Sequence, residues 1–246
     1  MEEAFIDASR DGDVDAVRKY IDTGGDVNYH TTRAVSWRKN IHTGDTGLLL
    51  ATLYERTEIV KLLLAAGAEP NRQSKDGRTP LMSSSYQGYI GIMVTLIEYG
   101  ADINIKDVYG RTALMESSFQ NQIDIIHLLL KLGAHINEQN VDGETSLIIA
   151  SDRGHTAVVS ALLEHGADLN IHDNNGKSAL TLAKNARIKS LIRNQIRWNR
   201  WNSRKALLIM LAENGYSRPS SSLSSSLRFE SVLGNEELVR LIVSYI

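Results

Sequence analysis

Apolar and polar positions in this chain alternate with a long period. Leu48, Leu81, Leu114, Leu147 and Leu180 fall 33 residues apart, and three positions after each comes a small residue: Ala51, Ser84, Ser117, Ala150 or Ala183. Further along each unit stand the apolar pairs Ile59–Val60, Ile92–Met93, Ile125–Ile126 and Val158–Val159. This spacing predicts two short helices per unit, each with one buried stripe. The small residue lets a neighbouring helix approach closely.

The punctuation is in phase with the helices. Thr46, Thr79, Thr112, Thr145 and Ser178 stand two positions before the leucines as N-caps, and Pro80 fits the first helical position, where its missing N–H costs nothing. Gly88, Asn121 and Gly154 suit a left-handed turn between the two helices. Gly67, Gly100, Gly133 and Gly166, each followed by Ala, close the second helix. Asn71, Asn104, Asn137 and Asn170 form one more column, and Gly44, Gly77, Gly110, Gly143 and Gly176 another. The polar run leading to each of these last glycines is expected to project as a hairpin. One such unit cannot bury its own apolar faces, but stacked neighbours can.

The pattern resembles the ankyrin repeat, most closely in "DGRTPL" at Asp76–Leu81 and "GADIN" at Gly100–Asn104. The resemblance implies an all-α solenoid of helix-turn-helix units with hairpin fingers. Units start near Met1, Gly44, Gly77, Gly110, Gly143 and Gly176, and six of them cover residues 1–197. Phe5, Ala8, Gly12, Val17, Gly24 and Asn28 place the first unit in register, as an N-terminal cap that begins at its first helix. The histidine usual after the buried leucine is replaced by Leu49, Met82, Met115, Ile148 and Thr181, which suggests lower stability. In the sixth unit Arg187 replaces the turn glycine, and Asn194–Gln195 are expected to interrupt the second helix.

Membership of this family implies that finger tips and first helices bind a protein partner on a concave face. Here those positions include Arg78, Tyr86, Tyr109, Arg111, Phe119, Arg153 and Tyr54. Tyr54, Tyr86 and Phe119 fall in nearly one column, predicting an aromatic ridge beside Arg78 and Arg111. The alternative is that the rings pack on neighbouring units and the arginines are merely solvated. One finger is longer than the rest: between Asn28 and Gly44 lies an excess of ten residues within 29–43. It carries Trp37 with Arg33, Arg38 and Lys39. This set either grips a partner or packs against the first two units.

Charge separates the chain into parts. Residues 187–246 hold ten Lys/Arg and four Asp/Glu, whereas residues 1–186 hold 17 and 25. If residues 187–212 are helical, Lys189, Arg193, Arg197, Arg200 and Arg204 share one face, with Trp198, Trp201 and Leu208 on a different side. The helical extension over 198–216 either caps the last unit with its tryptophans, or the basic segment 187–205 binds an acidic protein, an anionic membrane or nucleic acid; the capping reading is preferred. A Ser-rich linker follows at 217–230, then an apolar segment at 231–246 with Leu238, Leu241, Ile242 and Tyr245 on one stripe. That segment resembles the first helix of an F-box-like motif, which would imply an adaptor subunit of a ubiquitin ligase; otherwise it returns onto the repeats.

Other classes find little support. The chain has no cysteine and no basic-then-apolar leader, so a cytoplasmic or nuclear location is expected. There is no phosphate loop and no HExxH motif, and the seven histidines mostly fall in ordinary surface columns. The expectation is a non-enzymatic scaffold with a protein partner, no cofactor, no metal and no small-molecule substrate, with oligomeric state left open.

Overall fold

The computed structural model describes residues 1–31 and 44–213, with side chains as far as 207. Trp37 and Arg38 of the long finger, and the linker and F-box-like segment beyond 216, lie outside the described residues.

Each unit supplies an inner and an outer helix. In chain order they are α1 (Glu2–Asp11) and α2 (Val14–Asp22), α3 (Gly47–Leu53) and α4 (Thr57–Ala65), α5 (Pro80–Gln87) and α6 (Ile90–Glu98). Then come α7 (Ala113–Phe119) and α8 (Ile123–Lys131), α9 (Ser146–Arg153) and α10 (Thr156–Glu164), α11 (Ala179–Leu182) and α12 (Ala186–Glu213). Inner helices α1, α3, α5, α7, α9 and α11 stack in sequence; of the outer helices, α4 packs on α2 and α6, and α10 on α8. Among the described residues the only strand-like pairings are the isolated bridges His30–Thr46 and His172–Ser178.

The columns explain the stacking. Thr46, Thr79, Thr112, Thr145 and Ser178 each accept a bond from the backbone N–H three residues on, as N-caps do. Leu48, Leu81, Leu114 and Leu147 are fully buried, each contributing about 1.5–3 kcal/mol of apolar burial. The close approach of the inner helices rests on two adjacent small columns. Beside the predicted Ala51, Ser84, Ser117 and Ala150 runs a second set, Ser9, Thr52, Ser85, Ser118 and Ser151, all wholly buried. Ser9 and Ser85 satisfy their hydroxyls on carbonyls one turn back, at 2.8 and 2.7 Å.

Three further columns join unit to unit. Asn28, Asn71, Asn104 and Asn137 accept from the backbone N–H of Glu69, Asp102, His135 and Asp168 at 2.8–2.9 Å, clamping the closing loop of the next unit. The side chains of Arg56, Gln122 and His155 reach back to the carbonyls of Arg10, Tyr86 and Phe119. At the finger tips the amides of Val108, Val141 and Asn174 donate to the carbonyls of Asp76, Tyr109 and Asp142, forming a staircase. This last contact gives the 33-residue glycines a second purpose. Gly77 has φ +75°, and a Cβ there would also lie 2.7 Å from the Val108 nitrogen.

The sixth unit differs from expectation. α11 has only four residues, and the turn falls at Ala183–Asn185, not at Arg187, which is already helical. Asn185 starts α12 by accepting from the Ile188 amide at 2.9 Å. Asn194 and Gln195 do not interrupt α12, because neither residue costs more than a few tenths of a kcal/mol to about 0.7 in a helix interior. Ile188 and Ile192, both buried, close the stack, and the compact repeat unit ends at Ile192.

Candidate functional site: the concave groove of units three to five

The inner helices and fingers of units three to five enclose a groove of about 470 Å³. Its wall is built from successive helix C-termini. Tyr86 lies in the last turn of α5 and Phe119 ends α7, so stacking of the units brings their rings to 6.3 Å at an interplanar angle of 24°. Two arginines cover the rings: the Arg78 guanidinium sits 5.2 Å from the Tyr86 centroid, and that of Arg153 sits 3.5 Å from the Phe119 centroid.

The floor is ionic. Glu116 on α7 has a side chain only 5 % exposed, held between Arg78 at 3.6 Å and Arg111 at 3.3 Å. Arg111 also binds the buried Asp107 carboxylate through Nε at 2.9 Å and a terminal nitrogen at 2.8 Å. Burial raises the Glu116 carboxyl above its ordinary range, and the two arginines only partly offset this. Burial works against the Arg111 cation, but Glu116 and Asp107 outweigh it and its pKa is raised.

Of the residues singled out in the sequence, Arg78, Tyr86, Arg111, Phe119 and Arg153 meet in this groove. The expected ridge is shorter and differently flanked. Tyr54 lines a neighbouring groove of about 440 Å³ with Leu53, Tyr109 and Asp76, apart from the Tyr86–Phe119 stack. Arg111 is turned to carboxylates and to Tyr109, 5.0 Å from its centroid, and Arg153 takes the place foreseen for it beside Phe119. Tyr109 and Val108 at one finger tip, and Val141 at the next, are each more than half exposed. Glu116 and Asp107 went unforeseen; a carboxylate in an otherwise small or apolar inner-helix column was the signal for Glu116.

In the second compact unit, which begins at Arg193, α12 continues without an acidic residue until Glu213. Arg193, Arg197 and Arg200 are exposed and Arg204 half-buried. Trp198 and Trp201 keep 57 % and 47 % of their surface in solvent. No described helix is long and apolar enough to cross a membrane.

Helix pairs stacked at a fixed repeat, with fingers over a concave groove, define a repeat protein built around a binding surface. Family comparison agrees: the model for ankyrin repeats (3 copies) matches residues 5–107, 48–140 and 114–200. The chain belongs to the ankyrin-repeat family, whose members are in general non-enzymatic protein-interaction modules. Over 48 residues, 20 % of this chain, it is 46 % identical to the "Ankyrin repeat and KH domain-containing protein mask-1" of Caenorhabditis elegans. That match spans 2 % of the relative's length.

Proposed function

We propose that the chain is a non-enzymatic scaffold or adaptor that holds a protein partner in the concave groove of units three to five. The observation that carries this reading is the Arg78–Tyr86–Phe119–Arg153 stack. Aromatic and arginine side chains are the usual anchors of interfaces, and here they are pre-ordered before any partner arrives. Most of that ordering cost is met within the free protein. The exposed apolar tips Val108, Tyr109 and Val141 extend the surface beyond the groove.

The test is affinity capture by the full chain and by a Tyr86→Ala, Phe119→Ala, Arg153→Ala variant, with mass spectrometry of both. Partners held by the wild type and lost by the folded variant support the reading. An identical partner set from both would overturn it.

A further inference from the structure

The concave groove leaves one prominent feature unused: the basic, tryptophan-bearing stretch of α12. We propose that its Arg193–Lys205 face binds single-stranded nucleic acid, with the arginines on phosphates and Trp198 and Trp201 stacked on unpaired bases.

The argument begins with exposure. An indole is a large apolar group that proteins seldom leave in water. Here two of them, one helical turn apart, are each about half exposed, and among the described residues only Trp201 has a ring partner, the Lys205 ammonium at 5.2 Å. Positions i and i+3 on a helix stand about 5–6 Å apart, enough for two consecutive bases to take one ring each. The cations follow the same register. Arg193, Arg197, Arg200 and Arg204 span twelve residues, roughly 16 Å of helix, and no carboxylate intervenes to neutralise them. A positive track beside aromatic platforms is the general solution to binding a single strand.

Other occupants fit less well. A helix lying in a membrane interface needs a wide apolar stripe. The tryptophan side of this helix instead carries Asn194 and Asn202, each four residues from Trp198. A duplex hides its base faces and offers the indoles nothing to stack on. An acidic protein surface would engage the arginines alone.

The experiment measures fluorescence anisotropy of labelled ten-nucleotide poly(U) and poly(dT) probes titrated with the full chain. Either probe should bind, and a preference between them says whether the ribose hydroxyl contributes. With four arginines on phosphates, the log–log salt slope should be about −3, close to a fifty-fold loss of affinity from roughly 50 to 200 mM salt. Trp198→Ala and Trp201→Ala should each weaken binding about tenfold at unchanged slope. The Trp→Phe versions keep a stacking face and should lose much less. Arg197→Ala should lower the slope by about 0.7 and leave the tryptophan effect intact. No binding below about 100 µM at the lower salt would overturn the proposal. So would equal affinity for a duplex of the same length, equal competition by polyglutamate, or tighter binding to phosphatidylserine vesicles. Loss of the groove partner in the capture experiment would leave these outcomes untouched, since the two sites share no residue.

Discussion

The Gly44 amide donates to the Thr31 carbonyl at 2.7 Å, and the Thr31 amide donates to Asp45 at 3.0 Å. Ser74 makes the same pair of contacts with Gly77 and Arg78, at 2.9 and 3.0 Å. In the ordinary finger two residues separate the partners; in the long one twelve do. The extra residues therefore all fall between the closing partners, and the base of the finger closes as in the other fingers. Deleting residues 33–42 should leave a finger of normal length and stabilise the fold by about 1 kcal/mol through the shorter loop. Urea unfolding checks this, and destabilisation would mean that the excised residues pack on the stack.

Gly77 and Gly67 both have positive φ, +75° and +91°, but only Gly77 faces another backbone. Gly67→Ala should cost about 1 kcal/mol, the price of a left-handed conformation alone. Gly77→Ala must also displace the Val108 finger and should cost at least about 2 kcal/mol more. Equal losses in thermal unfolding would refute the close-approach explanation.

Glu55 occupies the turn column at φ 58° where Gly88 and Gly154 stand in their units. Replacing it with glycine should raise stability by about 1 kcal/mol, since a non-glycine residue is strained there. Asn121, at φ 62°, should gain less from the same change because asparagine tolerates this region. The ranking of the two midpoints in urea is the measurement.

Arg111→Ala removes the shared partner of Asp107 and Glu116, leaving two buried carboxylates with much less compensation. A loss of about 2 kcal/mol is expected, below the 3–5 typical of a fully buried pair because this guanidinium is partly solvated. Arg111→Lys should recover only part of it, because a single ammonium cannot place two nitrogens on Asp107 and a third on Glu116.

The raised pKa of Glu116 has a definite sign. Between its ordinary value of 4.5 and its raised folded value, the folded state holds the proton more tightly than the unfolded state. Stability from this group is therefore full below 4.5 and declines as pH rises through the folded value. Glu138, whose pKa is lowered chiefly by its hydrogen bond from Lys106, acts in the opposite sense: its contribution is lost as pH falls. Comparing Glu116→Gln with the wild type across pH 4–7 isolates the first effect, and parallel curves would disprove it.

The repeating features were legible because repetition averages away local accident. The Thr caps, the leucines and the left-handed glycines each recur in the sequence and each keep their role in the structure. The groove was legible only as a set of positions. Which arginine covers which ring depends on where Glu116 and Asp107 draw Arg111; Glu116 does not recur at its position, and Asp107 recurs only as Asp173, two units on. The sixth unit misled for a similar reason. Asn194–Gln195 looked like a break, but the cap at Asn185 had already committed the chain to a continuous helix. The column of hydroxyls at Ser9, Thr52, Ser85, Ser118 and Ser151 was present in the sequence but unread, because serine is ordinarily a surface residue.

The asparagine clamps have a consequence for how such a chain can change in length. Asn71 accepts from the Asp102 amide and Asn104 from the His135 amide, in each case from backbone alone. Removing residues 77–109 would bring Asn71 opposite His135 with the same joint intact. The couplings are interchangeable parts, indifferent to what each unit displays. The display is not interchangeable: the same excision would take Arg78 from Glu116 and Tyr86 from Phe119. Units can thus be gained or lost at little structural cost, while the recognition surface ties particular neighbours together.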